Sequence, residues 1–173
     1  MKENEFKLIK LNKVINKDVY DMYQEIPLEE LGSSNSFKEL TYDEFKKEAK
    51  KVISFENKID PEINSKTVKY IFYVNEEPIG EISVRTTLND FWVNYGSQIF
   101  YKIRSSKRGK GYGTIMVSLI KDECRKYGFD QIRVNCDDDN VGSKKVILKN
   151  GGKPVMNYKN SRNKTSTSYI IKL

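Results

Sequence analysis

Residues 104–114 read RSSKRGKGYGT, and the fold turns on what this run joins. Before it, SQIFYKI (97–103) alternates as a strand. After it, GTIMVSLIKDECRKYG (113–128) sets Ile115, Met116, Leu119, Ile120, Cys124 and Tyr127 along one side of a helix. Arg125 and Lys126 suit the C-terminal dipole of that helix, and Gly128 can cap it. A strand, a glycine-rich loop and a helix N-terminus, in that order, make an anion cradle. Unpaired amides converge there, and the helix end carries about half a positive charge. Glycine lets the backbone come close and take positive φ. A flexible basic turn is the plainer reading of the same residues.

Spacing narrows the anion. A dinucleotide fingerprint, GxGxxG, would need a third glycine at 114, where Thr114 stands. The phosphate loop of nucleoside triphosphatases needs GK followed by Ser or Thr, which is absent. The run does fit R-x-x-G-x-G as Arg108, Gly109, Lys110, Gly111, Tyr112 and Gly113.

Working outward, QIRVNC (131–136) alternates as a half-buried strand, and VGSKKVILKN (141–150) reads as a short helix closed by Gly151. Strands around PVMNY and SYIIKL finish the chain. SQIFYKI and QIRVNC are expected as parallel neighbours across a right-handed crossover. Upstream, VKYIFYV and PIGEISVRT form an antiparallel hairpin about Asn75 to Pro78. EFKLIKL is a strand, DVYDMYQEI a helix stopped by Pro27, and TYDEFKKEAKKVISF a helix with Thr41 and Glu44 as a capping box.

Composition bounds the rest. At 173 residues one domain is expected, spanning 1–173. No apolar run approaches the roughly 18 residues of a membrane span, and the N-terminus lacks a secretory pattern, so the expectation is a cytoplasmic protein with no membrane partner. Cys124 and Cys136 read as buried free thiols. With no histidine in the chain, a metal site is not expected, and Ser-His-Asp and Cys-His catalysis are excluded. The net charge of +7 is dispersed, with Lys46, Lys47, Lys50 and Lys51 set among Asp43, Glu44 and Glu48. Nucleic acid is therefore not an expected partner.

The cradle, together with N140-V-G-S143-K-K-V-I-L-K-N-G151-G152 after the next strand, resembles the two cofactor segments of the GNAT superfamily of N-acetyltransferases. The resemblance covers residues 68–173. EIPLEELGSSNSF followed by a helix is similar to a bacterial branch of predicted acetyltransferases. The fold it implies is α/β (α+β): a mixed, mostly antiparallel sheet with a parallel splayed strand pair, flanked by helices on both faces. Residues 1–66 would form the acceptor side and 67–173 the acetyl-CoA-binding core.

Carried over by position, the resemblance implies that the main chain of Tyr101, Lys102 and Ile103 pairs with the pantetheine arm of acetyl-CoA. Arg108, Gly109, Lys110, Gly111, Tyr112, Gly113 and Thr114 would hold the pyrophosphate, Asn140 and Ser143 the pantetheine or adenosine side, and Lys144 a phosphate. Asn140 reads equally well as a helix N-cap. The acceptor would be a primary amine, expected to be a small molecule, with the protein a monomer or homodimer.

The chain departs from the family at both proton-transfer positions. Gln98 stands where relatives often carry a glutamate, and Ile147 where they often carry a tyrosine. Glu81, which shares a strand face with Ser83 and Arg85, is the substitute base and alternatively a partner of Arg85. Tyr101 and Tyr112 are the candidate thiolate acids. Glu25, Glu29 and Glu30 read as ordinary helix-end surface charges or, alternatively, as residues that make the acceptor mouth acidic. Two rival readings remain open: a non-catalytic acyl-CoA sensor, and a nucleotide or nucleic-acid binder using the same loop.

Overall fold

VKYIFYV and PIGEISVRT form β4 (Thr67–Val74) and β5 (Glu77–Arg85), antiparallel as expected, with Asn75 at a φ of 56° in the turn. The structure, a computed structural model, describes residues 4–30 and 33–173. Leu31 and Gly32, within EIPLEELGSSNSF, lie outside the described residues, as does the side chain of Glu30. β1 (Phe6–Lys10) pairs with β4, and β6 (Ile99–Ile103) with β5, giving the antiparallel order β1-β4-β5-β6.

Both faces of this sheet are covered, so β4 and β5 are buried almost throughout. On one face Val68, Tyr70, Phe72, Ile82, Val84 and Ile99 pack against α4 (Tyr112–Lys126). The helical stripe read from the sequence supplies Met116, Ile120 and Cys124 here, joined by Val117. Burying each of the larger side chains contributes roughly 1.5–3 kcal/mol. On the opposite face Ile71 and Tyr73 pack under α1 (Lys17–Glu25) and α2 (Tyr42–Ser54), among Val19, Met22, Phe45 and Ala49. The Thr41–Glu44 capping box forms as read. β2 (Glu29–Glu30) and β3 (Ser33–Ser34) make a short antiparallel pair. LNDFWVNYG, for which no element was expected, contains α3 (Asp90–Asn94), N-capped by Asn89.

A second antiparallel sheet has the order β7-β9-β8, from β7 (Gln131–Asp137), β9 (Thr165–Lys172) and β8 (Lys153–Lys159). The pairing expected between β6 and β7 is not a ladder, for the two strands belong to different sheets. The start of β6 is joined to the middle of β7, where the Gln98 amide donates to Arg133 O at 2.8 Å and the Asn135 amide to Ser97 Oγ at 3.0 Å. Beyond that point α4 and α5 (Val141–Lys149) pack against one another, and a Cβ at Gly113 would already lie 3.1 Å from Val146 Cγ2.

Two polar knots fasten the N-terminal helices to this frame. Tyr23 OH donates to Glu81 Oε2 at 2.6 Å, with Lys69 Nζ at 3.2 Å and Lys102 Nζ at 3.6 Å from the same carboxylate. Burial pushes the Glu81 carboxyl up, but the two ammonium groups and the Tyr23 hydroxyl outweigh it and hold it at about 2. Glu25, at the end of α1, accepts from Arg104 and, at 2.6 Å, from Ser106 Oγ. Those bonds likewise bring its carboxyl to about 2.

Two tests address this frame. A Cβ at Gly80 would sit 2.2 Å from Lys102 O, across the β5–β6 ladder. Gly80→Ala should therefore cost about 1–3 kcal/mol in urea unfolding. Glu81 is held below its ordinary 4.5, so its contribution is present above that pH and is lost as the pH falls toward 2. Glu81→Gln should cost about 3–5 kcal/mol at pH 7, since it takes the buried counter-charge from the half-buried Lys69 and Lys102. It should also flatten the decline of stability between pH 4.5 and 2. An unchanged decline would show that another group drives acid unfolding.

Candidate active site

Where β6 and β7 part, a cleft of about 720 Å³ opens between β6, the 104–114 loop and the start of α5. Its walls include Tyr101, Lys102 and Ile103 from β6; Arg108, Gly109, Gly111, Tyr112, Gly113 and Thr114 from the loop and α4; and Asn140 and Ser143 from α5. Eleven of the thirteen residues expected to hold a cofactor thus meet around one space.

The loop is built as an anion cradle requires. Gly109 and Gly111 take φ values of 76° and 80°, with open space where a Cβ would stand, so glycine is needed there for backbone conformation. Gly111 is the N-cap of α4 and offers no side chain, and no acid lies in the first turn. The first-turn amides therefore face the cleft without a side-chain cap. Arg108 folds back, Nε donating to Ile103 O at 2.9 Å.

On the far wall Asn140 caps α5, its Oδ1 accepting from the Ser143 amide at 3.0 Å, as its N-cap reading expected, and it lines the cleft as well. Tyr101 OH lies 2.6 Å from Ser143 Oγ, bridging the strand to the helix. Burial pushes the Tyr101 hydroxyl well above the ordinary tyrosine range, so it stays protonated.

Several expectations need correction. Lys110 and Lys144 do not line the cleft; Lys107, Lys145 and Lys149 line it instead, adding to the charge of Lys102 and Arg108. On α5 the stripe Val141, Lys145, Lys149 follows the four-residue step of a helix face, and Lys144 falls off it. Ile26 and Pro27, which the sequence marks only as a helix stop, form part of the wall.

Glu81 lies outside the cleft lining, in the knot with Lys69 and Lys102. Arg85 is not its partner: the guanidinium donates to Ser97 O and lies over the rings of Trp92 and Phe100. Ile147 is fully buried in the core, as its apolar character implied, and Gln98 is buried with Nε2 unpaired. Glu25 is neutralised by Arg104, and Glu29 is exposed. Among the described residues no helix is long and apolar enough to cross a membrane, and no cluster of three or more His, Cys, Asp or Glu is placed to hold a metal.

No curated protein sequence matches the chain. Solved structures share its fold. The microcin C7 self-immunity acetyltransferase MccE, in complex with acetyl-CoA and AMP, superposes with a TM-score of 0.73 at 14% identity, covering 98% of this chain and 93% of that one. A ribosomal-protein-S5-alanine acetyltransferase from Vibrio fischeri gives 0.68 at 16% identity, over 99% and 94%. The aminoglycoside acetyltransferase AAC(6')-Ib, in complex with coenzyme A, gives 0.62 at 17% identity, over 98% and 95%. The acetyltransferase (GNAT) domain family matches residues 13–153, a stretch that takes in both the N-terminal helices and the whole cleft. With most of its length inside that match, the chain belongs to the GNAT acetyltransferases.

Proposed function

We propose that this protein transfers the acetyl group of acetyl-CoA to the primary amine of a small acceptor, with both substrates bound together. The observation that carries this reading is the single cleft joining the edge of β6 to the glycine cradle and the Asn140–Ser143 turn. β6 is the edge strand of its sheet, so its outer main-chain groups can pair with an extended pantetheine arm as an added strand does. The open amides at Gly111 and the lysines at 107, 145 and 149 suit the pyrophosphate and an adenosine phosphate.

In the reaction a C–N bond forms and the thioester C–S bond breaks; the amine nitrogen loses a proton and the sulfur gains one. Acetyl-CoA supplies the activated acyl group. An alkylammonium near pKa 10.4 is neutral about one part in a thousand near pH 7.4, so the amine must be bound in its free form. Glu81, held at about 2 by its cationic partners, is a poor proton acceptor. We assign it to positioning Lys69 and Lys102, and assign proton removal to solvent. Tyr101, which lines the cleft and is hydrogen-bonded to Ser143, is assigned by its position as the proton donor to the departing thiolate. Tyr112, at the head of α4, lines the same cleft and packs edge-on to Phe72 at 6.4 Å; it is the alternative donor.

Two measurements test this. Gly111→Asp places a β-carbon at positive φ and a negative charge in the cradle. Calorimetry should show acetyl-CoA affinity falling at least tenfold, and unchanged affinity would sink the cofactor assignment. Tyr101→Phe keeps the ring and removes the proton. Thiol release should slow about ten- to a hundredfold with the KM for acetyl-CoA little changed. If instead Tyr112→Phe alone has this effect, the acid role moves to Tyr112. Saturable acetyl-CoA binding with no turnover across an amine panel would favour an acyl-CoA sensor.

A further inference from the structure

Five buried side-chain polar atoms find no hydrogen-bond partner among the described residues, and four of them belong to Thr67, Arg85, Gln98 and Asn135. These four residues are neighbours. Thr67 stands opposite Arg85 in the β4–β5 register, and the Arg85 amide donates to Gln98 O at 2.9 Å. Ser97, whose carbonyl accepts from Arg85 Nη1, takes the Asn135 amide on its hydroxyl. Buried polar groups are paired as a rule, so four adjacent exceptions mark a polar site shaped for something other than the chain itself.

Arg85 is its centre. The residue is 8% exposed and forms no ion pair among the described residues, and its hydrogen bond to Ser97 O uses only Nη1. Burial lowers its pKa to about 10, which leaves it charged at neutral pH. The guanidinium carbon lies 3.7 Å from the Trp92 ring centroid and 4.4 Å from that of Phe100. Trp92 is itself fixed by Nε1 donating to Ile63 O at 2.8 Å. Both rings stand against the guanidinium. Its Nε–Nη2 edge, a side-on fork for a carboxylate or phosphate, is unengaged.

The location fits an acceptor. The pyrophosphate cradle follows the C-terminal end of β6, so a pantetheine arm laid back along β6 brings its acyl end toward Phe100 and Gln98, where the strands converge. Arg85 and Phe100 project on the sheet face opposite α4, the face that also carries Lys69, Lys102 and Glu81. Three cations against one carboxylate repel a polycationic amine. Phe91, Val93, Tyr95 and Phe100 remain exposed alongside, an apolar rim around a cationic floor.

We propose that Arg85 reads an oxyanion on the acceptor, so that the amine acetylated here carries a carboxylate or phosphate beside an apolar body. The inference rests on the acetyl-transfer reading of the cleft.

The test uses matched acceptors: L-leucine against L-leucinamide, 3-aminopropyl phosphate against 3-amino-1-propanol, and 1,4-diaminobutane as a dication. At least one anionic member should exceed its neutral partner at least tenfold in kcat/KM by thiol release, and the diamine should be poorest. Whether leucine or the phosphate leads tells carboxylate from phosphate. Arg85→Gln should erase the preference while leaving acetyl-CoA affinity within about threefold, which also certifies the fold. Should that variant not fold, Arg85→Lys, which keeps the charge but loses the planar fork, should cut the preference at least threefold. Equal use of both members, or equal loss of both in the variant, overturns the proposal.

A second readout is independent of turnover. The Arg85 Nε–H resonance in the wild type should shift on titration with the anionic member and not with the neutral one. A shift without thiol release from any amine would refute acetyl transfer while sustaining the anion site. Release without a shift would refute the anion site alone, and absence of both would refute the two together.

Discussion

The structure depends on the start of β6 being hydrogen-bonded to the middle of β7, with no ladder between the two strands. The Gln98–Arg133 bond and the Ser97–Asn135 bond bring the two sheets together at one end. From there the strands diverge, and β6 keeps an unpaired edge. An open edge inside a folded domain is a liability unless something covers it. Here the space beside it is walled by the glycine loop and α5, which makes the edge a binding surface rather than an aggregation site. The Tyr101–Ser143 bond spans the gap, and the nearness of Val146 to Gly113 limits how closely α4 and α5 can approach, so hydrogen bonding and packing together set the width of the cleft.

Positive charge gathers in two places. The cleft has open amides and the lysines of the loop and α5, a mobile positive field suited to phosphates. Outside the cleft lining, on the sheet face opposite α4, a buried guanidinium lies against two aromatic rings, and further along β5 a carboxylate is committed to two lysines and a tyrosine. The two positive regions differ in kind. The first is solvated and costs little to keep; the second is desolvated, and a buried charge without a partner is retained against a substantial penalty. The Glu25–Arg104 pair links them mechanically, since it ties the helix that supplies Ile26 and Pro27 to the residue that opens the cradle.

Much of this was legible along the chain because it is coded locally. The order of strand, glycine run and amphipathic helix, the register of Arg108 to Gly113, the Thr41–Glu44 box and the burial of Ile147 all follow from short-range spacing and side-chain type. Positive φ at Gly109 and Gly111 is the conformation that glycine alone adopts without cost, so the cradle could be read before it was seen. The cofactor wall was readable for the same reason, since eleven of its expected residues come from three short segments.

What the sequence by itself determined, then, was the set of elements and the cradle between two of them. Tertiary structure alone decided which side chains meet across elements. The rotation of α5 chose Lys145 and Lys149 over Lys144. Cross-strand register gave Glu81 to Lys69 and Lys102, and α3, an element the sequence did not announce, gave Arg85 to Trp92. Periodicity along a chain states which face a residue occupies; only the packing of elements distant in sequence states what stands opposite it.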